Sequence, residues 1–187
     1  MTIQPQQGEL LLNLARRAIR QSLTGAPANE NVPDDPTLHA PAGCFCSLHT
    51  QGTHLLRGCV GIVDARSPLY RAIQDAARSV LRDPRFQNRA VQLDELNRLE
   101  IELSVLSPMT RAEHPLDFDP EKDGIYLTIG EEAGLFLPQV ARETGWSKEQ
   151  LLERLCSEKL GLPENAWKSD AAVLEKFTTQ ILGPEPF

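Results

Sequence analysis

The stretch LRGCVG, residues 56–61, contains the side chains best suited to chemistry. Arg57 and Cys59 are two positions apart in an apolar, β-prone run, so on an extended strand they project from the same face as Gly61. A nearby guanidinium favours the thiolate, the nucleophilic and metal-binding form of cysteine. The spacing therefore predicts that Arg57 lowers the pKa of Cys59. The alternative is that Cys59 is a small buried core residue, as free cysteines in strands usually are.

Three further residues could contribute to a site around Cys59. Gly58 and Gly61 have no β-carbon and should let a ligand or another backbone approach the strand. Glu102 lies on the polar face of the run LEIELSVL. If that strand neighbours the Arg57 strand, a carboxylate, a guanidinium and a thiol meet, which provides an acid, a cation and a nucleophile. The alternative makes Glu102 an ion-pair partner of Arg57 that fixes strand register.

A second cluster, Cys44-x-Cys46-x2-His49-x4-His54, contains residue types that bind zinc. Its spacing argues against a metal, because Cys44 and Cys46 face one side of a strand and His49 faces the other. Zinc-binding cysteine pairs normally lie about two to four residues apart on a turn. We therefore expect no metal site. No phosphate-binding glycine loop, nucleophile elbow or dinucleotide fingerprint occurs either, so no cofactor is predicted.

Composition restricts the class of protein. The chain has 187 residues, 41% of them hydrophobic, and four cysteines, which favours a cored domain over a disulfide scaffold. The net charge of −7 argues against nucleic acid as a partner, because phosphate binding needs clustered lysine and arginine. Apolar runs are far shorter than the roughly 18 to 20 residues that cross a bilayer. With no secretory signal recognised, we expect a cytoplasmic protein without membrane contact.

The charge is distributed unevenly along the chain. Residues 57–98 contain eight arginines, no lysine and five acidic residues, so one face is expected to be locally basic. On a helix predicted from Pro68 to Arg82, charged side chains recur at three- and four-residue spacing. A solvated helix face explains this stripe more economically than an anion site does.

The elements that position these residues follow from pattern. Residues 1–23 predict an amphipathic helix, and residues 24–42, with four prolines, predict a long surface connection. The core, residues 43–182, begins with two β-prone runs around Gln51-Gly52, which is the pattern of a hairpin. A helix starting at Ser67-Pro68 follows.

The rest of the core repeats this arrangement. After the strand LEIELSVL come a second hairpin, a helix with a Ser147–Gln150 capping box, and a final strand AAVLEKFTTQIL. The order strand, turn, strand, Ser-capped helix thus occurs at residues 43–82 and again at 124–160, which indicates an internal duplication. Hairpins combined with helices predict an α+β fold, an antiparallel sheet with flanking helices. The strands carrying Arg57 and Glu102 should belong to one sheet.

Several ordered motifs resemble the AMMECR-type domain, known in prokaryotes as protein A of the AmmeMemoRadiSam system. They are CFCSLHTQGTHLLRGCVG, SPLYRAIQDAARSVLRDPRF, LEIELSVLSP, GLFLPQVARETGW and LLERLCSEKLGL. The resemblance runs from about residue 44 to residue 177. It implies that residues 1–187 form one α+β domain with a larger and a smaller subdomain and a cleft near the LRGC-type strand.

The resemblance also selects candidate site residues. The candidates for catalysis are Cys59, Arg57 and Glu102. The candidates for binding are Gly58, Gly61, Asp83, Arg85, Phe86, Pro138 and Gln139.

For function, the resemblance implies an accessory protein that works with a Memo-type protein and a radical-SAM protein. One interpretation is thiol-based chemistry at Cys59 beside a cleft. The alternative is a non-catalytic module for a ligand or a protein, in which Arg57, Cys59 and Glu102 are structural or hold the ligand. In a third interpretation the LRGC strand is mainly a packed strand and the working surface lies elsewhere. Both enzymatic and non-enzymatic roles are compatible with these residues.

Overall fold

A computed structural model describes residues 2–27, 32–53 and 55–187. Its α-helices are α1 (Pro5–Thr24), α2 (Pro36–His39), α3 (Leu69–Val80), α4 (Pro138–Thr144) and α5 (Lys148–Arg154). Its strands are β1 (Cys44–Thr50), β2 (Leu56–Ile62), β3 (Leu99–Leu106), β4 (Thr110–Arg111), β5 (Gly124–Ile129), β6 (Glu132–Phe136), β7 (Ala172–Phe177) and β8 (Thr179–Pro186). Short 3₁₀ helices cover Pro84–Arg89, Leu93–Arg98 and Glu164–Lys168, and a π-helical turn, Leu155–Leu160, continues α5.

The chain forms two compact units, and the larger, unit 1, comprises Met1–Leu106 and Gln180–Phe187. Its sheet has the order β2-β1-β3-β8, with β1 antiparallel to both β2 and β3. The helices α1 and α3 pack on one face of this sheet. That face carries the apolar half of each alternating strand, because alternate residues of a strand point to opposite sides. Leu99, Ile101, Leu103 and Val105 of β3 are accordingly at most 3% exposed.

The helices of unit 1 follow from local signals. The helix α1 has proline at its first position and ends at Gly25, which adopts the left-handed conformation (φ 69°) that closes a helix. The helix α3 buries the predicted apolar stripe, including Leu69, Ile73 and Val80. It begins one residue later than predicted, because Pro68 has extended backbone and is itself the N-cap.

The proline-rich connection contains a helix that composition alone did not predict. Asp35 caps α2 by accepting a hydrogen bond from the Thr37 backbone N–H, and Pro36 suits the first helical position. Leu38 of this turn is fully buried. The prediction of a purely irregular surface connection is therefore wrong for residues 36–39, and residues 28–31 of the connection lie outside the described residues.

Unit 2, Ser107–Thr179, has its own sheet with the order β4-β7-β5-β6 and its own apolar core. The predicted hairpin forms β5 and β6. The predicted capping box is confirmed, because Ser147 and Gln150 bond to each other's backbone N–H at the start of α5. Gly161 closes the following π-helical turn in the left-handed conformation (φ 68°).

The C-terminal strand differs from its prediction. The run AAVLEKFTTQIL is two strands, because the chain leaves unit 2 after β7 and enters unit 1 as β8. In each sheet the second strand of the hairpin, β2 or β6, lies at the edge. The first strand of the hairpin pairs with the strand that follows the helix, β1 with β3 and β5 with β7. This topology matches the predicted repetition of the order, while a common origin of the halves stays a prediction.

The α+β class is confirmed by these two four-stranded sheets, whose strand pairs are antiparallel, and by the helices beside them. In the described part of the chain, no helix is both long and apolar enough to cross a membrane.

Candidate functional site

The LRGCVG stretch forms β2, which lies at one edge of the sheet of unit 1. Ser47 on β1 lies opposite Cys59 on one side and opposite Glu102 of β3 on the other. One sheet thus contains the strands of Arg57 and Glu102, as predicted. The two strands are not neighbours, because β1 lies between them. Cys59, Ser47 and Glu102 form a row across the sheet on the face opposite α1 and α3.

Arg57 is held by the segments that follow α3 and not by β3. Its Nη2 donates to Glu95 Oε1 at 2.9 Å and to the backbone oxygen of Arg89, and its Nε donates to Glu95 Oε2 at 3.4 Å. The guanidinium carbon lies 5.9 Å from the centre of the Phe86 ring. The side chain is only 16% exposed. The hypothesis that Glu102 is the ion-pair partner of Arg57 is therefore corrected: the partner is Glu95.

The remaining nitrogen of Arg57 has a different environment. Its Nη1 is buried and has no hydrogen-bond partner within the described part of the chain. A buried donor without an acceptor costs about 1–3 kcal/mol, and such a group in a native structure requires an explanation.

Asp83 and Arg85 occupy the outer edge of β2 at Cys59. The backbone N–H of Cys59 donates to Asp83 Oδ2 at 2.9 Å, and its carbonyl oxygen accepts from Arg85 Nη2 at 3.1 Å. Arg85 Nη2 also pairs with Asp83 Oδ2 at 2.7 Å. The two side chains thus satisfy the backbone groups that an edge strand otherwise leaves unpaired.

The Asp83 carboxylate is only 3% exposed. Burial raises the pKa of Asp83, but hydrogen bonds from the Arg85 side chain and from the backbone N–H of Cys59 and Arg85 outweigh it. The pKa of Asp83 consequently lies below its ordinary value of 3.8, which keeps the group charged at neutral pH.

The Cys59 thiol is not activated in the way the sequence suggests. Burial raises the pKa of Cys59 above 9.0; a hydrogen bond from the Ser47 hydroxyl and the charge of Arg85 lower it by less, and Asp83 raises it further. The prediction of a depressed pKa is therefore wrong in direction. The cation that acts on the pKa of Cys59 is Arg85, whereas Arg57 is bound to Glu95.

The space beside the two glycines of β2 is filled by the protein itself. A β-carbon on Gly61 would lie 2.3–2.4 Å from ring atoms of Phe45, and one on Gly58 would lie 3.0 Å from the side chain and the backbone oxygen of Val80. Gly61 therefore makes room for an aromatic ring, and Gly58 lets β2 approach the end of α3. The expected approach of a ligand or backbone to β2 is thus replaced, at these two positions, by internal packing.

The other candidates are distributed as follows. Two guanidinium groups lie near the Phe86 ring: the Arg85 carbon is 5.8 Å and the Arg57 carbon 5.9 Å from the ring centre. Glu102 is half-buried in β3. Pro138 and Gln139 belong to unit 2, where they form the first turn of α4.

The cysteines and His49 of the cysteine–histidine cluster occupy alternating positions of β1, as the strand period predicted. Cys44 and Cys46 are fully buried on the helix-covered face, while His49 is half-buried on a position of opposite parity. Burial raises the pKa of Cys44 to about 12. His54 lies outside the described residues. Among the residues that are described, no group of three or more His, Cys, Asp or Glu side chains could hold a metal ion.

Two residues of this site were missed by sequence reasoning. Glu95 lies in a 3₁₀ helix, where it also accepts from the backbone N–H of Gln92 at 2.9 Å; the pattern Gln92-x-x-Glu95 is capping-box-like and marks a helical turn. Ser47 lies between Cys46 and Leu48 in a β-prone run, so strand alternation could have placed it on the polar face.

The chain was compared with known proteins. A family model described as AMMECR1 matches residues 12–182. The chain is 35% identical to protein MJ0810 of Methanocaldococcus jannaschii over 184 residues, which covers 94% of this chain and 89% of that protein. It is 37% identical to protein PF1979 of Pyrococcus furiosus, with 98% and 90% covered.

A solved structure is also similar. The crystal structure of protein PH0010 from Pyrococcus horikoshii superposes with a TM-score of 0.85 at 35% identity, and the match covers 96% of this chain and 92% of that one.

Proposed function

Because the chain belongs to the AMMECR1 family, we propose that it is an accessory binding domain of an AmmeMemoRadiSam-type system. In this proposal the ligand or partner segment binds on the polar face of β2 and Arg57 is its principal contact. The proteins it serves are a Memo-type protein and a radical-SAM protein. The reaction they perform is not carried by a group of this chain.

The observation that carries the proposal is the buried, unpaired Nη1 of Arg57. The rest of the guanidinium is fixed by Glu95, by the Arg89 backbone oxygen and by the Phe86 ring. Because this nitrogen is buried, an acceptor reaches it only when the groups that cover it move aside. The guanidinium, which is already fixed, then loses little further conformational entropy, and this increases affinity. The matching group is an oxygen acceptor, such as a carboxylate, a phosphate or a backbone carbonyl.

The environment of Cys59 supports binding over nucleophilic chemistry. The thiolate is the reactive form of cysteine, and burial shifts Cys59 toward the neutral thiol. Its backbone N–H and carbonyl oxygen are also fixed, by Asp83 and Arg85 respectively. These contacts suit a structural residue in a binding surface better than a reactive nucleophile.

The test is a titration with purified partner proteins. The Memo-type and radical-SAM proteins of the same organism are titrated separately into this chain in a calorimeter. We expect at least one to bind, and Arg57→Gln to weaken that binding about tenfold or more, because a charge-assisted hydrogen bond is lost. Arg71→Gln, on the exposed side of α3, is the matched control and should bind like the wild type.

Because Arg57 also contacts Glu95, its replacement could disturb the fold. Arg57→Lys therefore serves as a second variant, since lysine retains the charge but lacks the planar fork, and circular dichroism checks folding. The proposal is overturned if neither protein binds, or if folded Arg57→Gln and Arg57→Lys both bind like the wild type.

Thiol-based chemistry at Cys59 remains a second candidate, favoured by one observation. All four cysteines are described, and Cys59 is only partly buried while the other three are buried. Iodoacetamide labelling as a function of pH, read by mass spectrometry, separates the candidates. The binding proposal expects Cys59 to label first but slowly near neutral pH, with a rate that rises toward alkaline pH. A rate already maximal at pH 7 would instead favour the thiol candidate.

A further inference from the structure

A groove of about 620 Å³ lies on unit 1, away from the polar face of β2. Its walls come from the end of α1, the end of α3 and residues 90–92, and its floor includes Val60 of β2. Val60 pairs with the buried Cys46 and follows Cys59 directly, so it projects from the face of the strand opposite to Cys59. The groove therefore lies on the face of β2 opposite to Cys59, although its wall residue Gln92 donates its backbone N–H to Glu95, the partner of Arg57.

The floor of the groove is apolar and is continuous with the core. Leu23, Val60 and Leu81 are partly buried and pack against the main core cluster of unit 1, and Val91 is 3% exposed. Side chains supported from beneath in this way form a preformed surface. An apolar group placed on it leaves water, which contributes about 25 cal/mol per Å² of apolar surface buried.

The rim of the groove is cationic. Arg78 and Arg82 are four residues apart, Arg82 lying just beyond the end of α3, and both line the groove, whereas no carboxylate of residues 2–27, 32–53 or 55–187 does. Arg78 pairs with the half-exposed Asp75 at 3.0 Å. Arg82 is exposed, and no ion pair joins it to a carboxylate of the described residues.

The position at a helix C-terminus explains part of this arrangement, because cations there interact favourably with the helix dipole. It does not explain the apolar floor beside them. A cationic rim next to an apolar floor complements a molecule with an anionic head and an apolar body. The volume falls within the range of about 300–1,000 Å³ that is typical of sites for small molecules.

We propose that this groove binds a small amphiphilic anion, with its head on Arg82 and Arg78 and its body on Leu23, Val60 and Leu81. The inference concerns non-covalent binding and is independent of the function proposed for β2. A carboxylate, a phosphate or a sulfonate supplies the same head-group chemistry.

The test uses 8-anilinonaphthalene-1-sulfonate, an aromatic sulfonate whose fluorescence rises in apolar surroundings. The wild-type chain should bind it saturably under native conditions. Arg82→Gln should raise its dissociation constant about fivefold to tenfold, as expected for loss of a charge-assisted contact. Arg71→Gln, on the same helix but outside the groove, should leave the constant unchanged. Near-ultraviolet circular dichroism verifies that each variant is folded.

Competition with two carboxylates distinguishes the contribution of the anionic head from that of the apolar body. Decanoate should displace the probe, whereas acetate, which has the same head group without the body, should not at equal concentration. Leu23→Gln should weaken the displacement of the probe by decanoate, although both arginines are retained in this variant. The proposal is overturned by non-saturable probe binding, by equal effects of Arg82→Gln and Arg71→Gln, or by equal displacement with acetate and decanoate.

Discussion

At the residue scale, the charged groups around Cys59 act mainly on the backbone and on one another. Asp83 receives four hydrogen bonds, one from the Cys59 backbone N–H and three from Arg85. Arg57 is similarly fixed by Glu95. Among the described residues, the only buried side-chain atom of this cluster without a hydrogen-bond partner is Arg57 Nη1. Most of the cluster therefore positions β2, and one buried nitrogen is left without an acceptor.

Asp83→Asn should destabilise the protein at neutral pH by about 1–3 kcal/mol, because a buried charge-assisted acceptor is weakened. The pKa of Asp83 is lower in the folded protein than its ordinary value of 3.8. The Asp83 charge therefore stabilises the folded protein at pH values above 3.8. This stabilisation is lost as the pH falls through the pKa that Asp83 has in the folded protein.

Urea denaturation at pH 7 and at pH 3 measures this effect, with the exposed Asp94→Asn as control. The difference in unfolding free energy between the wild type and Asp83→Asn should be largest at pH 7 and smaller at pH 3. A difference that is the same at both values, or that is matched by Asp94→Asn, contradicts the assigned role.

At the scale of elements, β2 depends on glycine for close packing on both of its faces. Gly61 accommodates the Phe45 ring on one face, and Gly58 accommodates the end of α3 on the other. The outer edge at Cys59 is covered by Asp83 and Arg85, which protects it from pairing with another chain. The sequence LRGCVG thus forms a strand that is closely packed at one glycine on each face and capped at its outer edge beside Cys59.

Gly61→Ala should destabilise unit 1 by about 1–3 kcal/mol, the usual cost of overpacking, because its β-carbon would overlap the Phe45 ring. Phe45→Leu removes that ring and should relieve the overlap. In a double-mutant cycle by urea denaturation, Gly61→Ala should cost less in the Phe45→Leu background than in the wild type. Strictly additive effects would show that the ring does not occupy this space.

At the scale of the whole molecule, charge is divided between the units. Unit 2 contains eight Lys and Arg residues against fourteen Asp and Glu residues, a net charge of −6, so −1 of the total −7 remains for unit 1. In unit 1 the cationic groove rim is a local feature of two arginines. Such an area can hold one anionic head but is too small to neutralise a row of phosphates.

We therefore expect no saturable binding of a fluorescent DNA duplex at micromolar protein and about 0.1 M salt. Fluorescence anisotropy measures this directly, with a basic DNA-binding protein as positive control. Binding that weakens steeply with added salt, and that falls further in Arg82→Gln, would instead identify the arginine stripe as a phosphate-binding surface.

The sequence by itself determined the elements and the faces of this protein. Alternation in LEIELSVL gives a half-buried strand, the Ser147 capping box gives the start of α5, and parity separates Cys44 and Cys46 from His49. These features depend on residues a few positions apart, whose relation is fixed by the period of a helix or strand. The same local period predicts that Arg57 and Cys59 share a face, but the structure interrupts that period at Arg57, because Leu48 pairs with Gly58 and His49 with Leu56.

Only the tertiary structure decided which groups meet. It places β1 between β2 and β3, pairs Arg57 with Glu95 instead of Glu102, and brings Arg85 to Cys59. It also breaks the C-terminal run into β7 and β8. The pKa of Cys59 rises because burial and partner distances outweigh a nearby charge. Strand order and burial arise from contacts between distant segments, which local spacing does not encode.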